Sequence, residues 1–185
     1  MPLAFPNVGL TNVNLRLVRT VGMSESPFSY QQQVHDFGGA RWEAEITLPP
    51  LSHSEARSVE AFLVGLKGRS GTFTFGHPLH THSGTFALAS ATAVRDDTIS
   101  VVTSDSVSAG NYFQLGNYLY MITEDISSGT SDISIQPPMR EIIASSTALD
   151  FTLPKSTWRL SSNQVEWNTN AASLYGFTFA CIEAI

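Results

Sequence analysis

The segment from Arg41 to Pro78, RWEAEITLPPLSHSEARSVEAFLVGLKGRSGTFTFGHP, constrains the fold more than any other part of the chain. Trp42, Ala44, Ile46 and Leu48 alternate with Arg41, Glu43, Glu45 and Thr47, so a strand here has one apolar and one charged face. Pro49-Pro50 ends that strand, because neither residue donates a backbone hydrogen bond. Ser52 with Glu55 three residues on is a capping-box signal, and it opens a helix over 53–66. Ala56, Val59, Phe62, Leu63 and Leu66 fall on one stripe of that helix, the pattern of a helix lying on a sheet. Thr72 to Phe75 then resumes an extended pattern. The connections are too short for a conventional catalytic loop, and the segment spends its residues on packing.

The flanking sequence supplies partners. Val13, Leu15 and Leu17 mark a half-buried strand, Met23 to Pro27 reads as a loop, and Phe28 to Phe37 can be extended again. Gly38-Gly39 is then expected to turn the chain into the Trp42 strand as a hairpin. After Phe75 comes a loop, Gly76 to Gly84, followed by short strands at Thr98–Val102, Tyr112–Leu115, Tyr118–Thr123, Asp132–Gln136 and Leu149–Leu153. Gly116-Asn117 is a two-residue hairpin signal between two of them. Five short strands with Gly, Asp and Ser turns suit a small closed or partly open, OB-like barrel. Trp158, Leu160, Val165 and Trp167 lead into closing strands, with Trp158 expected to be partly exposed. Leu174 to Ile185 is apolar on both faces, as a central strand is. Such a strand needs neighbours from the N-terminal half. The expected organisation is a discontinuous domain, residues 1–86 and 155–185, enclosing an inserted barrel at 87–154. The fold class is mainly β with one α-helix.

Composition narrows the function classes. Only 14% of the 185 residues are charged, against roughly 25% in a typical domain, which suits a polar β-surface or one covered by neighbours. The net charge is −6 and no Lys/Arg cluster occurs, which argues against sequence-independent binding to nucleic-acid phosphates. A single cysteine, Cys181, excludes an internal disulfide and reads as a small buried hydrophobe. No apolar run is long enough to span a bilayer, and MPLAFPNVGL lacks the features of a secretory signal, so synthesis and folding in a cytoplasm are expected.

Chemistry-bearing residues are sparse. His77, His80 and His82 form the one concentration of metal-ligand types, but no Cys or carboxylate lies within a few residues of them. A surface loop is the expectation there, with no metal and no cofactor. Glu43 and Glu45 lie on the polar face of a strand, while Asp96-Asp97 and Glu124-Asp125 mark turns. No nucleophile elbow, phosphate-cradling glycine loop or zinc-protease helix occurs. An enzyme is therefore not expected. Trp42, Trp158 and Trp167, or Tyr112, Tyr118 and Tyr120 of the barrel, are the candidates for a sugar-stacking platform.

These residues together resemble a phage tail family. The run SPFSYQQQVHDFGGARWEAEITLPPLSHSEARSVEAFLVGLKGRSGTFTFGHP is similar to the N-terminal part of distal tail (tail-tip adaptor) proteins of long-tailed phages. The matching positions are Ser26-Pro27-Phe28, Gln32-Gln33-Val34, Trp42, Leu48-Pro49-Pro50, Glu55-Ala56, Ala61-Phe62-Leu63, Gly68 and Gly71-Thr72-Phe73. VEWNTNAASLYGFTFACIEAI resembles that family's closing strands, and AGNYFQLGNYLYMI with IQPPMR resembles its inserted small β-barrel. The chain departs from the family at Leu51, where Met is common, and at His77, His80 and His82, which replace an acidic loop. The resemblance implies a β-sandwich or split-barrel ring (belt) domain with one helix, and an inserted barrel that projects outward. It implies a structural virion protein at the tail tip, made in the host cytoplasm. Six copies would form a homohexameric ring joining the tail tube protein to the hub or baseplate proteins, with no membrane partner. DNA would pass through an acidic lumen without specific binding. Core and subunit-interface positions are then expected at Trp42, Pro49, Pro50, Phe62, Phe73, Phe75, Trp167, Tyr175 and Phe177. The alternatives are a carbohydrate-binding module at the tail tip, a tail terminator or another tail adaptor.

Overall fold

The alternation around Trp42 belongs to a much longer strand than its apolar residues mark out. The computed structural model describes residues 2–76, 82–169 and 174–185. After a short β1 (Leu3–Ala4), strands β2 (Asn12–Glu25) and β3 (Gln32–Thr47) form one antiparallel hairpin whose turn is at 26–31. Met23 to Glu25 is thus strand, not loop. Gly38-Gly39 is not a hairpin turn: Gly39 pairs with Thr20, and the register shifts between Thr20 and Val21 to absorb Phe37 and Gly38 as a bulge within β3. Gly38 takes φ +71°, which only glycine adopts without strain.

Pro49-Pro50 interrupts pairing as the missing N–H groups require, and pairing resumes on both sides of it. Leu48 N donates to Phe177 O at 3.0 Å and Leu51 N to Tyr175 O at 2.9 Å. Helix α1 (His53–Gly65) follows, and the Glu55 carboxylate accepts from both the backbone N–H and the hydroxyl of Ser52. These bonds hold the Glu55 carboxyl below its ordinary range. The helix ends as the backbone folds sharply over its last turn. A Cβ on Gly71 would lie 2.5 Å from the Leu66 carbonyl oxygen, so the residue opening the Gly-Thr-Phe strand has to be glycine.

The chain then enters β4 (Phe73–Gly76), leaves the body, and returns as β10 (Lys155–Leu160), β11 (Asn168–Thr169), β12 (Tyr175–Gly176) and β13 (Thr178–Glu183). The six-stranded sheet has the order β1-β4-β10-β13-β3-β2. Strand β13 is central, between β10 and β3, which accounts for its two apolar faces. Ala56, Val59, Phe62 and Leu63 of α1 and its C-cap Leu66 pack with Trp42, Ile46, Phe73, Phe75, Trp158 and Phe177 in one core. Each such large side chain contributes about 1.5–3 kcal/mol on burial. Trp158 is 1% exposed and donates from Nε1 to Phe75 O, so it is core and not a partly exposed platform.

The excursion between β4 and β10 builds a second sheet with its own core. It holds β5 (Phe86–Leu88), β6 (Thr98–Thr103), β7 (Tyr112–Leu115), β8 (Tyr118–Ile122) and β9 (Gly129–Gln136), in the order β5-β6-β9-β8-β7. Gly116-Asn117 makes the expected turn between β7 and β8. The boundary falls slightly earlier than expected, because Phe86 belongs to this second core. Leu149–Leu153 is not a regular strand. Residues 146–150 bond to Phe86 and Leu88 on one side and to Gln114 on the other, bridging the two edge strands β5 and β7. That bridge closes the sheet into a small barrel. The fold is mainly β with one α-helix among the described residues, and it includes a curled half-barrel sheet.

Candidate assembly surface

The β2–β3 hairpin has two halves. Near the body, Val13, Leu15 and Leu17 of β2 and Trp42, Ala44 and Ile46 of β3 lie against the core. Beyond the bulge the same two strands continue as an arm with none of the other described residues over its apolar face. Val21 and Met23, with Val34 directly across from Met23, line one face and all are exposed. On the other face the Phe37 ring lies over Gly22, 3.1 Å from where a Cβ would stand, with His35 packed edge-on against it. At the tip Ser26 N donates to Gln31 O and Tyr30 N to Ser26 O, closing a turn that leaves Phe28 95% and Tyr30 74% exposed. A two-stranded ribbon alone is marginally stable in water, and grouped exposed apolar side chains mark interaction sites.

The base of the arm is gripped by the barrel. Arg19 donates to Gln136 Oε1 and pairs with Asp36 at 3.5 Å, across the bulge. Arg140, from the loop after β9, donates to Ala40 O and to Glu183 Oε2, the latter at 3.0 Å. Glu183 Oε2 also accepts from Trp42 N at 3.1 Å, and the Trp42 indole N–H donates to Leu119 O at 2.8 Å. Tyr112, Leu119 and Met121 of the barrel join the body core. The barrel is therefore fixed to the sheet through β3, β10 and β13. Burial pushes the Glu183 carboxyl above its ordinary range, against the opposing pull of Arg140. Glu183 Oε1 and Arg140 Nε are buried without a hydrogen-bond partner.

At the other end of β3 lies an open cleft of about 400 Å³, lined by Thr47, Leu48, Glu166, Trp167, Phe177 and Thr178 among others. Trp167 is 41% exposed and its ring stacks on Phe177 at 6.4 Å. The Thr178 and Thr47 hydroxyls meet at 3.4 Å on the cleft wall.

The positions expected at a core or interface separate into two groups. Trp42, Phe62, Phe73, Phe75 and Phe177 are core residues, and their rings are closed off from any partner. Pro49 and Tyr175 are half-buried, Pro50 and Trp167 are exposed, and the Tyr175 phenol bonds His53 Nδ1 at 3.0 Å. The three barrel tyrosines make no common platform. Tyr120 is fully buried, with its phenol accepting from Arg140 N, and Tyr112 packs edge-on against Trp42. Burial pushes the Tyr120 phenol beyond its ordinary range. His77 and His80 lie outside the described residues. His82 is half-buried against Phe86 and Phe151. Among the described residues no three His, Cys, Asp or Glu side chains are grouped to hold a metal ion. Cys181 is buried, and burial pushes its thiol up to about 12.

Sequence reasoning missed the arm residues Val21, Met23, Val34 and Phe37, and the tip aromatics Phe28 and Tyr30. Their signal was present as Val21 and Met23 continuing the two-residue period of Val13, Leu15 and Leu17. No protein-family model and no curated protein matches the chain. No helix among the described residues is long and apolar enough to cross a membrane.

Proposed function

We propose that this chain is a structural protein of a phage tail tip. In this reading copies of it form a ring, expected to be a homohexamer, between the tail tube and the hub or baseplate. The observation that carries the reading is the hairpin arm: a long edge strand and grouped apolar side chains stand outside the core, and natural proteins cover such edges. A ring built from one repeated contact leaves no edge uncovered. The motif resemblance around Trp42, Pro49-Pro50 and Gly71-Thr72-Phe73 supplies the phage tail context. The net charge of −6 suits a lumen through which DNA slides without adhering. The role is mechanical, and the α1–sheet core serves to hold the assembling edges in place.

Light scattering on the purified chain over a wide concentration range, with micrographs of the same sample, tests the reading. A discrete multimer and closed rings are expected. A monomer at every concentration, with no rings in the images, counts against it.

A further inference from the structure

We infer that the tip of the β2–β3 arm docks into the Trp167–Phe177 cleft of a second copy, so that the chain associates head to tail. The inference rests on the self-assembly reading above and specifies which surfaces meet. The two surfaces lie at opposite ends of one strand. Gln32 opens β3 beside the tip and Thr47 closes it at the cleft, about 50 Å apart at the rise of an extended chain. One chain therefore cannot satisfy its own cleft with its own tip. A contact between unlike patches at opposite ends is heterologous, and such contacts close into rings or run on as filaments.

The chemistry of the two patches fits. Phe28 and Tyr30 are large, exposed aromatic anchors held by a hydrogen-bonded turn, the residue type that dominates binding when it fills a partner's pocket. The cleft already carries one open aromatic face, Trp167, braced by its stack on buried Phe177, on which another ring can pack. Its volume of about 400 Å³ lies in the range of pockets that take such groups. The tip carries hydroxyl donors at Ser29 and Tyr30, and the cleft rim presents the Glu166 carboxylate as an acceptor. The tip rings of Phe28 and Tyr30 offer roughly 340 Å² of exposed side chain, taking about 200 Å² for a whole aromatic, with Met23 and Val34 adjoining on one face of the arm. A standard interface buries about 800 Å² on each partner, so a single tip contact is a weak one that closure of a ring reinforces.

Three samples of the full chain test this. The wild type, Phe28→Ser with Tyr30→Ser, and Trp167→Ser are compared by light scattering, with circular dichroism melts to verify folding. The proposal expects at least a tenfold loss of assembly in both variants, with melting of the tip variant unchanged because the tip lies outside the core. Chains carrying Ser29→Cys and Thr178→Cys are then treated with a short bis-maleimide, to which buried Cys181 is closed. A mixture of the two variants should cross-link, and neither should do so alone. If Ser29→Cys cross-links to itself, the contact is tip to tip and the head-to-tail proposal falls. If the wild type assembles and both serine variants assemble equally well, the arm serves another partner: the proposal falls and the ring reading stands. A wild-type chain that stays monomeric overturns both.

Discussion

The two halves of the β2–β3 hairpin share a strand pair and an alternation, yet they have opposite fates. In the inner half Trp42 and Ala44 are buried and Leu15 and Leu17 half-buried, all packed into the body core. In the outer half Val21, Met23 and Val34 keep the same alternation and face solvent, with Met23 64% exposed. The bulge at Phe37-Gly38 and the Arg19–Gln136 bond lie at the junction. Alternation specifies that a strand has an apolar face. It does not say what covers it, because the cover comes from residues far away in sequence. An apolar face that continues past its own core is a surface prepared for something else.

Substitutions can break or sharpen this contrast. The largest effect is expected in the inner half's core. Trp158→Ala removes a fully buried ring and the indole bond to Phe75, at a cost of about 3–5 kcal/mol read by chemical denaturation. A value under about 1 kcal/mol would mean that the body core is as loosely specified as the arm.

The clamp between barrel and arm base comes next. Glu183→Gln keeps an oxygen for Trp42 N and Arg140 but buries an amide NH2 where Oε1 has no partner, and about 1–3 kcal/mol is expected at neutral pH. The pH dependence has a definite sign. The folded protein raises the Glu183 carboxyl above its ordinary value of 4.5, so it holds that proton more tightly than the unfolded chain does. The resulting stability is complete below about 4.5 and is lost as pH rises through the folded value. The gap in Tm between wild type and Glu183→Gln should therefore be wider in acid than at neutral pH. A gap that narrows in acid would mean that the Arg140 attraction outweighs burial.

Gly71→Ala is expected to cost about 1–3 kcal/mol, since the added methyl meets the Leu66 carbonyl and the end of α1 has to shift. The smallest effect on stability belongs to the arm. Met23→Ser should change the folding free energy by no more than about 0.5 kcal/mol, because the side chain loses no contact with the core. Any loss of assembly in that variant then reports on the arm's surface alone. A clear drop in Tm would show that the outer half is folded as part of the body.

Much of the body was legible because its signals are local. The two-residue period at Trp42–Leu48, the double proline, the Ser52–Glu55 cap and the Gly116-Asn117 turn each act within a few residues, and each gives the element expected. The candidate surface was less legible. Gly38-Gly39 carries a strong turn signal, but the long β2–β3 register continues through it and turns instead at 26–31, which contains no glycine. Trp158 and Trp167 look alike in sequence; one is sealed beneath Phe75 and the other stands open on Phe177.

By itself, then, the sequence determined the mainly β class, the strand–helix–strand core and several of the turns, because propensity, period and turn chemistry are set by near neighbours. Only the tertiary structure decided which apolar faces are closed and which remain open. That choice depends on β10, β13 and the barrel arriving from distant parts of the chain to cover the inner half of one hairpin, while nothing among the described residues reaches the outer half.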